Sequence, residues 1–278
     1  IKFGDPNHLL AEIPNQLTDR QNNLIIGSML GDGHLRKRGE KQNTSLVIKR
    51  ALKDFEYLAW QFDILKNLSL SNGLTTRSSL DARTNKIYDS CEFATRNLVV
   101  LNSFYHKWYD LNGVKVIPRD LELNSEIIAT WFCDDGWVLK SKNNYFQIGF
   151  ATNSFSENEV CFLQNLLGKR YSENIGIVKC ANKQFALHLA DYAARKLIKD
   201  IDSVFPMGME RKRKWKDIVF PKGFYSLKLS SQDKLSKITN FINLNDGFCL
   251  MDIARLLGLR SDQNTQNVKK YLDKFVSK

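Results

Sequence analysis

One pattern occurs twice in this chain and limits what the rest can be. Residues 24–33 read LIIGSMLGDG and residues 127–136 read IIATWFCDDG, and the closing pairs Asp32-Gly33 and Asp135-Gly136 stand 103 positions apart. A repeat of this kind implies two similar units that bury their apolar faces together. Each apolar run predicts a helix that stops on one carboxylate. The first is expected over about 20–32, capped by Thr18 or Asp19, and the second ends at Asp135, capped by Asn124 or Ser125. Gly33, just past the first helix, is expected in the left-handed conformation that suits glycine.

The segments behind the two copies also correspond. After the first come two strands within 35–50 with Arg36, Lys37 and Arg38 near their turn. A helix over 54–68 carries Phe55, Leu58, Ala59, Phe62 and Leu65 as its apolar stripe, a strand pair covers 74–95, and a helix covers 97–110. After the second come a hairpin over 137–152, a helix opened by Ser156 and Glu159 as a capping box, strands at 175–179 and 184–189, and a helix over 191–200. The order αββαββα thus appears twice. Residues 206–228 hold a basic cluster and are expected to be a linker. From about residue 230 three short helices, including MDIARLLGLRSDQNTQNVKKYLDKF, suggest a helix-turn-helix, with a plain packing appendix as the alternative. The expected division is 1–121, an arm with the first repeat; 122–228, the second repeat with the linker; and 229–278, the small helical unit.

Charge narrows the class of partner. The chain carries 41 Lys and Arg against 30 Asp and Glu, a net of +11, which points to a polyanion and first to nucleic acid. No apolar run reaches the roughly 18 residues of a membrane span. The five cysteines are odd in number and none is in CxxC spacing, so a zinc site or disulfide framework is not expected and a reducing, intracellular compartment is. The four histidines are scattered without metal-ligand spacing.

The repeated stretch itself suggests chemistry. Gly27 and Gly31 lie four apart, on one helix face, where they allow another backbone to come close. If the two helices pack side by side, Asp32 and Asp135 become neighbours. Both stand at the helix end whose dipole disfavours anions, and paired carboxylates repel. A divalent cation relieves both problems, and oxygen ligands suit Mg²⁺, with Mn²⁺ or Ca²⁺ able to take the same place. Such an ion activates water and stabilises the leaving oxygen of a phosphodiester.

Ile25-Ile-Gly-Ser-Met-Leu-Gly-Asp-Gly33 and Ile128-Ala-Thr-Trp-Phe-Cys-Asp-Asp-Gly136 resemble the two signature helices of the LAGLIDADG homing endonucleases in their single-chain form. Lys115-Val-Ile-Pro118 and Asn153-Ser-Phe-Ser156 fit the same resemblance, which covers roughly residues 18–218. It implies an α+β fold of two pseudo-symmetric αββαββα repeats with antiparallel, saddle-shaped sheets over the DNA major groove. It implies a site-specific endonuclease that cuts both strands, leaves short 3′ overhangs and works as a monomer on a long asymmetric target. The key acids fall on Asp32 and Asp135, with Gly31 and Asp134 beside the metal. Lys115 and Lys212 fall on catalytic positions, with Arg211 or Lys214 as alternatives to Lys212. Thr130 and Asp134 stand where small interface residues are usual, so their packing on Gly27 and Gly31 is expected to be asymmetric. DNA contacts are expected from Arg36, Arg38, Lys49, Arg77, Arg83, Lys86, Lys140, Lys142, Gln147, Lys179, Lys183, Arg211 and Lys214. Two rival readings share the scaffold: an RNA-binding intron maturase and a non-catalytic DNA-binding regulator. The setting expected from the resemblance is an organelle or a prokaryotic cytoplasm.

Overall fold

The computed structural model describes residues 16–70, 73–140, 146–180 and 184–215. The start of the arm, Lys142, Lys183 and the expected helix-turn-helix lie outside these residues, as does the side chain of Lys140. Among the described residues no helix is long and apolar enough to cross a membrane.

The first half runs α1 (Asp19–Leu30), β1 (His34–Arg36), β2 (Ser45–Ala51), α2 (Phe55–Ile64), β3 (Thr75–Asp81), β4 (Lys86–Ala94) and α3 (Asn102–Trp108). The second runs α4 (Ser125–Asp135), β5 (Gly136–Lys140), β6 (Phe146–Ala151), α5 (Glu157–Tyr171), β7 (Gly176–Lys179), β8 (Phe185–Leu189) and α6 (Asp191–Ile201). Each half builds a four-stranded antiparallel sheet, in the orders β1-β2-β4-β3 and β5-β6-β8-β7. The α+β architecture with two such sheets is the one expected.

Local chemistry sets the element ends. Thr18 caps α1: its hydroxyl accepts the Gln21 N–H while the Gln21 side chain takes the Thr18 N–H. Asn124 caps α4 by accepting the Ile127 N–H at 2.9 Å. Ser156 and Glu159 form the expected box at α5. Alternation then sorts each strand. Leu46, Ile48, Cys91 and Phe93 in the first sheet, and Phe146, Ile148, Phe150, Leu187 and Leu189 in the second, are buried on the helix-covered side.

Four expectations are corrected. Gly33 is not among the residues with positive φ. It is glycine because a Cβ there would lie 2.8 Å from the Ser28 carbonyl oxygen, which accepts the Gly33 N–H at 2.7 Å. Helix α1 also stops at Leu30, two residues before Asp32, whereas α4 does end on Asp135. In α2, Leu58 and, just past its end, Leu65 are buried as expected and are joined by Tyr57 and Gln61, but Phe55 is exposed. Residues 206–215 are no linker: Met209 and Trp215 are buried, Met209 against Tyr57 and Cys133, and the Trp215 ring lies 5.4 Å from Phe132.

Candidate active site

Helices α1 and α4 pack directly on each other. A Cβ on Gly27 would sit 2.6 Å from the Thr130 Cβ, and one on Gly31 would sit 2.3 Å from the Asp134 Cβ. The four expected interface residues therefore meet in pairs, Gly27 with Thr130 and Gly31 with Asp134. At the other end of the pair, Asn23 donates to Glu126 at 2.6 Å and accepts from Asn124 at 2.8 Å.

This contact brings the two helix C-termini together. Asp135 is pushed up from 3.8 to about 7, by burial first and then by the charges of Asp32 and Asp134. Among the described residues it has no hydrogen-bond or ion-pair partner. Asp32 is different. Its carboxylate is about half exposed and meets Arg50 Nη1 at 3.0 Å. Its N–H donates to Asp134 Oδ2 at 3.1 Å.

Two lysines close the helix ends. Lys115 Nζ donates to the carbonyls of Gly31 at 3.0 Å and Gly33 at 3.1 Å. Lys212 Nζ donates to the carbonyls of Asp134 at 2.7 Å and Phe132 at 3.4 Å. Each places its ammonium at the negative end of a helix dipole, Lys115 on the Gly31 carbonyl that follows α1 and Lys212 on the Asp134 carbonyl in the last turn of α4. Burial lowers both lysines, Lys115 to about 8, with the neighbouring aspartates opposing the shift. The alternatives to Lys212 go elsewhere: Arg211 makes a two-pronged pair with Asp54, both contacts at 2.8 Å, and Lys214 is exposed.

Arg50, Tyr57 and Gln61 were missed by sequence reasoning. Arg50 is buried and gives Nη2 to Asp134 at 2.6 Å, Nη1 to Asp32 and Nε to Gln61 at 2.8 Å. Tyr57 OH donates to Asp134 at 3.1 Å, and its ring lies 4.4 Å from the Arg50 guanidinium. Burial opposes charge on Arg50, but Asp134, Tyr57 and Asp32 more than offset it, and its pKa is raised. For Asp134, burial raises the pKa while Arg50 and the Asp32 N–H hold it down; the net direction is upward. A signal for Arg50 existed: in Ser45-Leu-Val-Ile-Lys-Arg50 the alternation assigns Arg50 to the same inward face as Leu46 and Ile48. A charge there needs a buried partner.

The donor set suits a hard cation. It offers the Asp32 and Asp135 carboxylates and main-chain carbonyls, and Asp135 has no direct partner among the described residues, although the charges of Lys212 and Lys115 partly offset its own. Among the described residues no three His, Cys, Asp or Glu side chains are grouped closely enough to hold an ion by themselves. The Asp134 carboxylate, expected beside the metal, is buried and accepts from Arg50, Tyr57 and the Asp32 N–H.

The helix-free sheet faces carry the expected DNA contacts unequally. In the first sheet Arg36, Lys49, Arg77 and Lys86 alternate onto that face and are exposed. Arg77 pairs with Glu92 at 3.0 Å. Arg38 and Arg83 are exposed in loops beside it. In the second sheet the same face carries Trp137, Leu139, Gln147, Val178 and His188. Gln147 Oε1 lies 2.7 Å from His188 Nε2. Lys179 pairs with Phe185 in register, which assigns it to the other face, away from the expected contact surface.

With this geometry in view, comparison with known proteins is specific. The family model for the LAGLIDADG DNA endonuclease family matches residues 22–197. The cytochrome b mRNA maturase bI2 of Saccharomyces cerevisiae is 32% identical over 60% of this chain, a match that spans only 40% of the maturase. The DNA endonuclease I-ChuI of Chlamydomonas applanata is 32% identical over 59% of this chain and 78% of its own length. The homing endonuclease I-WcaI, solved bound to its DNA recognition sequence, superposes with a TM-score of 0.66 at 18% identity, over 75% of this chain and 97% of that one.

Proposed function

The chain belongs to the LAGLIDADG DNA endonuclease family, and from that premise we propose that it is a site-specific, divalent-metal-dependent endonuclease of double-stranded DNA. The observation that carries this reading is the paired helix end. Asp32 and Asp135 come from separate halves, reach one another's field, and each has a lysine on the adjoining carbonyls. A non-catalytic regulator has no use for an unpaired, half-buried carboxylate such as Asp135, which costs stability.

Asp32 and Asp135 would hold Mg²⁺, with Gly31 and Asp134 able to add only main-chain oxygen. The ion would supply charge for the leaving oxygen and a more acidic water. Hydrolysis adds one water across a P–O bond: the water oxygen bonds to phosphorus, the bond to the leaving sugar oxygen breaks, and that oxygen takes a proton. Lys115 and Lys212 stand ready to orient water or to stabilise phosphate charge. The charged face of the first sheet holds phosphate and reads guanine through arginine, while the second sheet offers apolar contacts and Gln147. Two unlike halves in one chain read a long asymmetric target without needing a second copy. The 3′ overhangs and the monomeric state are part of this proposal.

The cytochrome b maturase similarity favours one second reading, an intron-RNA partner, and an organellar setting for either role. One experiment separates them. The protein is incubated with Mg²⁺ and a plasmid that carries a duplex site selected by binding. Specific linearisation that falls by about 10⁴-fold in Asp32→Asn and Asp135→Asn supports the nuclease. Intact plasmid together with tight, selective binding of intron RNA supports the maturase and sinks the nuclease.

A further inference from the structure

The two acids are not held alike. Subtracting the repeat spacing from Asp134 gives Gly31, so the first half has no counterpart of the Asp134 carboxylate. Register supplies the other comparison. His34 pairs with Val47 as Trp137 pairs with Gly149, so Arg50 corresponds to Thr152. Thr152 is fully buried, uncharged, and donates its hydroxyl to the Phe185 carbonyl at 2.8 Å. Asp32 is thus tied twice, through its N–H to Asp134 and through its carboxylate to Arg50. Asp135 has neither tie.

Building on the endonuclease reading, we propose that Arg50 and Asp134 are positioning residues that fix Asp32 before DNA binds, so that the two strands are cut in a set order, the phosphodiester served by Asp32 first. Both residues act through Asp32. Arg50 divides its guanidinium between the fully buried Asp134 at 2.6 Å and Asp32 at 3.0 Å. Its contact with Asp32 sets the orientation of that carboxylate. A carboxylate already in place reacts ahead of one that must be ordered, and a misplacement of about 1 Å costs on the order of 10²-fold. Tyr57 and Gln61 keep Arg50 itself in place, by a ring contact and a hydrogen bond.

The test follows each strand separately on a supercoiled plasmid carrying the selected site, with Mg²⁺. The wild type should nick one strand on the order of tenfold faster than the other. Arg50→Met combined with Asp134→Ala removes both buried charges together, which protects the fold; it should slow the fast strand far more than the slow one and erase the difference between them. Arg50→Lys, whose single ammonium reaches one carboxylate and not two, should fall between. A second readout needs no catalysis: in metal-free protein the Asp32 amide should be protected from hydrogen exchange, and the double variant should lose that protection. Equal wild-type rates, equal slowing of both strands, or an amide still protected in the double variant would each overturn the proposal. Failure of the wild type to cut any bound site sinks the endonuclease reading, and the strand order with it, while the amide exchange still reports whether Asp134 holds Asp32.

Discussion

The first and second halves use the same succession of elements and distribute charge in opposite ways. In the first, the helix-free sheet face is ionic, with Arg36, Lys49, Arg77 and Lys86, and the helix end is tied down by a buried arginine. In the second, the same face is largely apolar, with Trp137, Leu139 and Val178, and the helix end leaves Asp135 bare. The repeat preserves what geometry demands: two packed helices, a tightly packed glycine after each, and two lysines. It frees what faces the ligand. A duplicated scaffold therefore need not have duplicated sites.

Removing the tie in the first half is the strongest way to break this comparison. Arg50→Met leaves Asp134 buried without its partner and should destabilise the protein by about 3–5 kcal/mol, read by chemical denaturation. Adding Asp134→Ala should recover part of that loss. The equivalent change in the second half, Thr152→Val, removes one hydroxyl hydrogen bond and should cost about 1 kcal/mol.

Asp135 sharpens the comparison through pH. Its pKa in the folded protein, about 7, lies above its ordinary 3.8. Below the ordinary value both states are protonated and nothing is lost. Between the two values the unfolded chain ionises while the folded one keeps its proton, so stability falls as pH rises, and above about 7 the loss is complete. Asp135→Asn should therefore raise the unfolding free energy of chelator-treated protein at pH 8, by about 1–3 kcal/mol after discounting for solvent, read by chemical denaturation. At pH 4 it should have little effect. A rise of equal size at both pH values would refute the assignment. Mg²⁺ should narrow the gap at pH 8 by stabilising the wild type alone.

The smallest effect concerns the sheets. Lys49→Ala should reduce the salt dependence of DNA binding by about one unit of slope. Val178→Ala should leave the slope unchanged. Equal slopes for both variants would remove the contrast between an ionic face and an apolar one.

Much of this was legible in the sequence because its signals were local. Thr18 with Gln21, and Ser156 with Glu159, fix helix starts within one turn. Alternation fixes which side of each strand is buried, and the repeat pairs Gly27 and Gly31 with a partner helix. The misses share a cause. Arg50, Tyr57 and Asp134 form a cluster whose members lie as far as 84 positions apart, and only packing shows that their charges and hydrogen bonds close on each other. Gly33 looked like a turn glycine because the pattern that ends a helix and the pattern that lets a carbonyl approach are written with the same residue. The segment through Met209 and Trp215 looked like a linker because its basic residues outnumber its buried ones. The apolar residues decide where it lies, and Arg211 and Arg213 find Asp54 and Asp202.

The fit of Gly31 against Asp134 has a consequence for how such halves associate. Each half carries its own trailing lysine, since Lys115 caps the helix of the half before it and Lys212 does the same for the second. Each is thus a nearly complete module that self-pairing ought to tempt. The contact works against it. Two copies of the second half would set Asp134 against Asp134 in a gap that holds one carboxylate, and two copies of the first would set Gly31 against Gly31 and leave Arg50 with no buried acid. The fit of Gly31 against Asp134 thus favours unlike halves over like ones.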